Sequence, residues 1–271
     1  MDKEQYPPQN IVHSSLLTVH YMKDIRQTLL DRVTVRRYER EAIPAETMDF
    51  IFQAIRNTPT SYNGQQFSVI DISDQALKEE LYAITNQKQI KTCNRFLVFC
   101  ADYHKITMLA EKKGLDVPPF TDTMDGVTVG IIDASLAMMS AVVAAEACGL
   151  GANCIGYLRT VDPPKVAEML KLPKGVFVVC GLCLGIPREH PDLKPKQGIG
   201  LMIHSNTYRQ DPEAMTDELL DYDAVITQYN KTRSGGTTDN DWCDHILDYY
   251  RHAMSYRILD YLKAQGFNIT R

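Results

Sequence analysis

Apolar residues recur along the chain at two spacings, which predict alternating helices and strands. Met48, Ile51, Phe52 and Ile55 recur at helical spacing after Pro44, and the Asn-Thr-Pro sequence at 57–59 ends this pattern. Further helices are predicted around Leu77, Leu81 and Ile84, and over residues 127–148, 162–170, 216–231 and 242–265. Short runs rich in β-branched and aromatic residues predict strands over residues 67–72, 95–100, 152–157 and 176–184.

The segment 127–148 is apolar nearly all round and is followed by Gly149, a good helix C-cap. Its length would suit a membrane span. However, Asp133 and Glu146 would each be costly in hydrocarbon without partners. The segment is therefore interpreted as a buried helix of a globular protein.

Length and charge limit the classes of protein that fit. The 271 residues carry a formal net charge of -5, which argues against a broad nucleic-acid or membrane-binding surface. Residues 1–24 are weakly periodic and are predicted to be an N-terminal extension, with one domain over residues 25–271. The first 24 residues contain no continuous apolar stretch of the kind found in signal peptides, so a cytoplasmic location is expected.

Seven cysteines are an odd number in a chain too long to need disulfides. Cys180 and Cys183 have the spacing of a redox dithiol. They lie within an apolar strand pattern, where residues three apart point to opposite faces. Reduced core thiols are therefore the favoured interpretation.

Other candidate motifs are weak. Gly149, Gly151 and Gly156 reverse the strand-glycine-helix order of dinucleotide-binding loops, and His245 and His252 lack the spacing of helical zinc ligands, so no metal site is predicted. Without a recognisable hydrolase or phosphate-loop motif, a cofactor is expected to supply the chemistry. The basic clusters Arg32, Arg36, Arg37, Lys194 and Lys196 fit an anion site or an ordinary solvated surface.

Six blocks, found in the same order, resemble the NADPH-dependent FMN nitroreductases and flavin reductases of the major oxygen-insensitive type. The resemblance covers residue 25 to the C-terminus. The blocks are DRVTVRRY (31–38), RNTPTSYNGQQFSVI (56–70), FLVFCADY (96–103), AAEACGLGANCIGYLR (144–159), KLPKGVFVVCGLCLGIPREHPDLKPK (171–196) and DWCDHILDYYRHAMSYRILDYLKAQGF (241–267).

The resemblance implies an α+β fold in which helices wrap a central, mainly antiparallel sheet. It also implies an intertwined homodimer with two FMN sites at the subunit interface and a C-terminal helix that wraps the partner. The apolar helix 127–148 and the aromatic-rich C-terminal helix agree in part, because both would expose more apolar surface than one subunit readily covers.

The family pattern also implies which residues bind FMN. The phosphate and ribityl contacts fall on Arg32, Val33, Thr34 and Arg36, with Arg32 in place of the usual His, and on Lys194 and Lys196, the latter where Arg is common. The other implied flavin contacts are Thr60, Ser61, Tyr62, Asn63, Gln87, Gln89, Ile155, Gly156 and Tyr157. Gly156 would let the flavin ring approach the backbone closely.

Arg159 and Arg233 are implied to bind the nicotinamide dinucleotide. A second Arg of the family loop is absent, since residues 237–239 read Thr-Thr-Asp, which weakens the expected preference for NADPH over NADH. The implied activity is ping-pong transfer of electrons from NAD(P)H through FMN to nitroaromatics, quinones or flavins. A dedicated flavin reductase and a non-catalytic FMN-binding or storage protein are the alternatives.

Overall fold

A computed structural model describes residues 23–234 and 236–270. Within these residues, four strands form one antiparallel sheet in the order β1-β2-β4-β3. The strands are β1 (Phe67–Ile72), β2 (Arg95–Asp102), β3 (Gly151–Ile155) and β4 (Val176–Gly185). Apart from Lys23 and Asp24, the predicted N-terminal extension lies outside the described residues. So do Gly235 and Arg271.

Helices surround the sheet, which confirms the predicted α+β class. They are α1 (Ile25–Leu30), α2 (Ala45–Arg56), α3 (Gln75–Thr85), α4 (Lys88–Thr92), α5 (His104–Lys112), α6 (Met124–Ala147), α7 (Pro163–Met169), α8 (Ile199–Met202), α9 (Pro212–Thr232), α10 (Trp242–Ala253) and α11 (Ile258–Ala264). The short helices α1, α4, α5 and α8 were not predicted, because none carries a long apolar repeat.

The sheet is buried on both faces. Along β2, Leu97 and Phe99 point into a cluster formed with α2 and α6, whereas Phe96 and Val98 point into a cluster with α3 and α4. Every residue of β4 is buried. Because both faces of the sheet are buried, the sequences of β2 and β4 are continuous apolar runs rather than alternations of apolar and polar residues.

The predicted helix over 242–265 is wrong as a single element, because the structure divides it into α10 and α11. Between them, the backbone N–H groups of Ser255 and Tyr256 donate to carbonyl oxygens three residues earlier, at 3.1 Å each, which tightens and ends α10. The chain then turns so that Tyr261 and Leu262 of α11 enter the core. The predicted strand 152–157 is also shorter, ending at Ile155 before a 3-10 turn.

Helix α6 is long and apolar enough to cross a membrane by length and composition. In the fold it packs against α2 and the sheet. Asp133 is fully buried, and its two carboxylate oxygens accept hydrogen bonds from the backbone N–H groups of Ser61 and Gln66, at 3.0 and 3.3 Å. Of the two carboxylates that argued against a membrane span, Asp133 therefore has partners inside the protein.

Cys180 and Cys183 are both buried and do not pair with each other. The Cys180 thiol interacts with Cys154 on β3, and Cys183 interacts with Cys93 on the other side of the sheet. The two histidines His245 and His252 are exposed. Among residues 23–234 and 236–270, no group of three or more His, Cys, Asp or Glu side chains is placed to hold a metal ion.

Candidate functional site

A pocket of about 260 Å³ lies at the end of β3, and we call it the β3 pocket. It brings together seven of the residues predicted from the sequence. Those seven are Arg36, Gln87, Gln89, Ile155, Gly156, Tyr157 and Arg159. Its other lining residues, which sequence reasoning missed, are Asn153, Cys154, Thr160, Tyr249 and Tyr256.

Gly156 forms part of the pocket wall where β3 ends. Its φ of −79° is open to any residue, so the limited space, rather than the backbone conformation, favours a glycine here. A Cβ at this position would lie 3.0 Å from Nη1 of Arg159. The same Nη1 donates a hydrogen bond to the Val179 carbonyl oxygen at 3.0 Å. Arg159 thus lies against the wall of the pocket.

Gln87 and Gln89 lie at the start of α4, where a short connection after α3 turns the chain towards β3. Gln87 is the N-cap residue of α4, and its backbone N–H donates to Thr85 Oγ1 at 3.3 Å. The Gln89 Oε1 atom is buried and has no hydrogen-bond partner. A buried amide oxygen without a donor costs free energy, so this atom is suited to accept a hydrogen bond from a ligand.

Residues 32–36 run beside β3 and carry basic side chains to the site. Thr34 forms a parallel bridge with Ala152, and the Val35 N–H donates to the Ala152 carbonyl oxygen at 3.1 Å. The carboxylate of Glu189 fixes the end of this segment by accepting from the backbone N–H groups of Arg36 and Arg37, at 2.6 and 3.1 Å. Sequence reasoning did not identify Glu189, whose role depends on this distant contact.

Arg32, at the start of the same segment, lies near a buried carboxyl group. Burial raises the pKa of Glu146 to about 7, although the charges of Arg32 and Lys23 oppose this shift. Glu146 Oε1 is buried and has no hydrogen-bond partner. Arg32, Val33 and Thr34 do not line the β3 pocket itself, but the bridge to Ala152 holds them alongside β3.

Four cationic side chains from three parts of the chain converge beside this pocket. The pKa of the Lys194 ammonium is lowered first by burial and then by the charges of Lys196, Arg233 and Arg36. Like charges are costly to hold together, and an anion bound among them would relieve the repulsion. The sequence allowed two interpretations of the basic clusters, an anion site or an ordinary solvated surface. In the structure, Arg36, Lys194 and Lys196 of these clusters come together in one place.

A larger opening of about 1440 Å³, the basic cleft, shares Arg36 and Gln89 with the β3 pocket. Its lining residues include Arg233, Ser234, Lys88 and Lys91. The position of residue 234 is fixed, because its backbone N–H donates to Asp192 Oδ2 at 2.6 Å; this bond lowers the pKa of the Asp192 carboxyl.

The predicted flavin contacts Thr60, Ser61, Tyr62 and Asn63 do not line the β3 pocket of their own chain. They form a loop in which Tyr62 and Asn63 have φ values of 52°, an unfavourable left-handed conformation. Tyr62 is fully exposed. Asp133 holds this loop to α6 through the hydrogen bonds given above. The sequence signal for Asp133 was a charge inside an apolar helix.

Comparisons with known proteins agree on one family. The profile of the Nitroreductase family matches residues 29–186, and that of the Nitroreductase family, C-terminal domain, matches residues 194–270. An FMN reductase [NAD(P)H] of Bacillus subtilis is 32% identical over 251 residues, covering 92% of this chain and 100% of that protein. An oxygen-insensitive NADPH nitroreductase of Salmonella typhimurium is 34% identical over 235 residues, covering 86% of this chain and 94% of that protein.

The fold has the same relatives. The structure of B. megaterium NfrA2 superposes with a TM-score of 0.86 at 33% sequence identity, over 92% of this chain and 100% of that one. The matched residues span the sheet, the β3 pocket, the basic cleft and the C-terminal helices. The chain therefore belongs to the nitroreductase family.

Proposed function

We propose that this protein binds FMN in the β3 pocket and is an NAD(P)H-dependent oxidoreductase that reduces small electron-poor molecules. The observation that carries the proposal is the convergence of four cations, Arg36, Lys194, Lys196 and Arg233, beside the β3 pocket. Gly156 lines this pocket and has no side chain, so a flat ring can lie close to its backbone. A planar ring joined to a phosphate needs both features in adjacent places. The family membership and the names of the relatives support the same cofactor.

The residues present fit FMN. Arg36, Lys194 and Lys196, together with Arg32, would hold the phosphate, since guanidinium and ammonium groups form strong hydrogen bonds to phosphate oxygens. Gln87 and Gln89 would bind the polar edge of the ring system, and the orphaned Gln89 Oε1 would gain a donor. The backbone of residues 155–157 would lie along the ring.

FMN supplies the redox chemistry, since it accepts a hydride from a reduced nicotinamide and passes the electrons on. The protein's residues orient the reactants around it. Arg233 and the neighbouring lysines of the basic cleft would hold the phosphates of NAD(P)H, and Arg159 would lie nearer the nicotinamide. If donor and acceptor both bind against Gly156 in the β3 pocket, they would occupy it in turn, and ping-pong kinetics are expected.

The active form is proposed to be an intertwined homodimer. Residues 60–63 are implied flavin contacts but do not line the pocket of their own chain, and we propose that they complete the pocket of the partner subunit. We treat residues 25–271 as one FMN-binding domain, with the C-terminal helix wrapping the partner. Seven free thiols support a reducing, cytoplasmic location.

The visible absorption spectrum of the purified protein, before and after reconstitution with FMN, tests cofactor binding. Anaerobic mixing with NADPH and with NADH then tests the oxidoreductase activity, and bleaching of the bound flavin by one of them identifies the preferred donor. Steady-state rates with a nitroaromatic, a quinone and free flavin would separate a broad reductase from a dedicated flavin reductase. A protein that stays colourless after reconstitution would overturn the proposal, and flavin that stays oxidised with both donors would leave only FMN binding.

A further inference from the structure

The β3 pocket contains a thiol to which the proposed redox chemistry assigns no role. Cys154 on β3 is exposed and lines the pocket. Cys180 lies behind it on β4, almost fully buried at 8% exposure, and its thiol is 3.4 Å from the carbonyl oxygen of Ile155. One accessible thiol therefore lines the pocket, and one buried thiol lies on the neighbouring strand behind it.

The strand register determines how the two thiols are related. Cys154 is paired with Leu182, so Cys180 lies two residues away on the same face of the sheet, in a diagonal position. Diagonal residues are about 7–8 Å apart, and their Cβ atoms are somewhat closer than this. A disulfide requires Cβ atoms about 3.5–4.5 Å apart. The sheet therefore lets the thiols interact but does not place them for a bond to each other.

The surroundings favour the thiolate form of Cys154. Interaction with the Cys180 thiol, followed by the charge of Arg32, lowers the pKa of Cys154 to about 7 against the opposing effect of burial. The other charged and titratable groups of the pocket are Arg36, Arg159, Tyr157, Tyr249 and Tyr256. The thiolate is the nucleophilic form of cysteine, and cations beside it also attract anionic reagents.

The remaining cysteines are less suited to react. Cys93, Cys100, Cys180 and Cys183 are buried. Cys148 is partly buried, and burial raises the pKa of its thiol. Cys243 is exposed on α10, outside the residues that line the β3 pocket, and is a matched comparison for Cys154.

We propose that Cys154 is a modification site, at which a small anionic disulfide forms a mixed disulfide that closes the β3 pocket to FMN. The Cys154 thiol gives its proton to solvent, and the thiolate attacks one sulfur of the reagent. The reagent's S–S bond breaks, a new S–S bond to Cys154 forms, and the other half leaves as a thiolate. The protein sulfur is oxidised and the departing sulfur is reduced. This inference rests on the proposed FMN site.

Two consequences follow from the position of the thiol. A glutathionyl group would fill much of the 260 Å³ of the pocket, so it would compete with the flavin. The diagonal position of Cys180 does not favour a bond between the two protein sulfurs, so we expect the mixed disulfide to persist until an external thiol reduces it. Bound FMN, in turn, protects Cys154.

Glutathione disulfide is the probe, used on the FMN-loaded and the flavin-stripped protein and on the variants Cys154→Ser and Cys243→Ser. Intact mass and peptide mapping are expected to show one glutathionyl group at Cys154 in the stripped native protein and in Cys243→Ser, and none at this position in Cys154→Ser. We expect modification to be at least tenfold slower with FMN bound. The modified protein should bind FMN at least tenfold more weakly until dithiothreitol is added.

A third variant tests the thiol pair. Cys180→Ala removes the interaction that favours the thiolate, so the midpoint of the modification rate against pH should move upward from about 7. Faster labelling of Cys243, a mass loss of two hydrogens in place of an adduct, or an unchanged FMN affinity after labelling would each overturn the inference. Failure of the untreated protein to bind FMN would instead count against the proposed function, and the adduct mass would remain readable.

Discussion

At the residue scale, the backbone and the side chain of Arg36 have separate roles. Its N–H donates to Glu189 at 2.6 Å, which fixes the segment, whereas its side chain lines both the β3 pocket and the basic cleft. Replacement by alanine keeps the backbone bond but removes a charged donor to phosphate, worth about 1.5–3 kcal/mol. Arg36→Ala should therefore fold normally and weaken FMN binding by about 10–100-fold. Fluorescence titration of the flavin-stripped protein measures this.

The neighbouring Arg37 provides the control. Its guanidinium is 63% exposed and lies 3.6 Å from the Glu189 carboxylate, outside the β3 pocket. Arg37→Ala should change the FMN affinity by less than about threefold, as is typical of exposed ion pairs. Equal losses in the two variants would mean that general positive charge, rather than the Arg36 contact, determines affinity.

Glu146 predicts a pH dependence of stability. Burial raises its pKa from the ordinary 4.5 to about 7, so between these values the unfolded chain releases a proton that the folded protein keeps. The contribution of Glu146 is therefore full below pH 4.5 and is lost as pH rises to about 7. Glu146→Gln cannot titrate. Because one pKa unit corresponds to about 1.4 kcal/mol, the variant should gain on the order of 3 kcal/mol relative to the native protein across this window.

Urea unfolding of both proteins at pH 4.5 and pH 8 measures the gain, and subtracting the native values removes the pH dependence of all other groups. Glu111→Gln is the control, since this side chain is exposed on α5. A difference between native protein and Glu146→Gln that is the same at both pH values would show that folding does not change the pKa of Glu146.

At this scale the sequence predicted the residue types better than their partners. Arg36, Gln87 and Gly156 could be assigned because the family pattern places each at a fixed spacing. Glu189 and Tyr256 could not, since each reaches the site through contacts with residues far away in the chain. An ordinary glutamate or tyrosine carries no local signal of such a contact.

At the element scale, periodicity predicted β1 with its observed bounds, and α2 and α6 to within a few residues. These elements have strong internal patterns. The division between α10 and α11 was missed, because the chain turns there to bury Tyr261 and Leu262 against the sheet. Tertiary packing, rather than a helix-breaking residue, determines that boundary.

Asp133 connects two elements, and this connection yields a third prediction. Its two carboxylate oxygens each accept one backbone N–H of the 60–66 loop, whereas an asparagine offers one acceptor oxygen. Asp133→Asn should leave one buried N–H unpaired and lower the free energy of unfolding by about 1–3 kcal/mol. If the loop completes the partner's pocket, FMN affinity should fall as well. Urea unfolding and flavin titration measure the two effects.

The variant Asp125→Asn is the matched control, because Asp125 is exposed in the first turn of α6. It removes only a favourable charge at the helix N-terminus, worth less than about 1 kcal/mol. A loss of stability in Asp133→Asn without a change in FMN affinity would separate the loop from the flavin site.

At the scale of the whole molecule, the described chain leaves an apolar stripe on α6 uncovered. Ile132, Leu136 and Met139 follow one another at helical spacing and are 48%, 42% and 43% exposed. This agrees with the sequence-based expectation that the helix has more apolar surface than one subunit readily covers. A homodimer that buries the stripe would account for apolar residues on every face of α6.

The charge variant Leu136→Glu tests this assembly. A carboxylate at the centre of a buried interface would be desolvated without a partner, at a cost of several kcal/mol, so the variant should be monomeric in size-exclusion chromatography with light scattering. It should also lose FMN, because residues 60–63 of the partner would no longer reach the β3 pocket. Leu115→Glu, at an exposed position in the connection after α5, should stay dimeric and yellow. A native protein that is monomeric and still holds FMN would show that one chain completes its own flavin site.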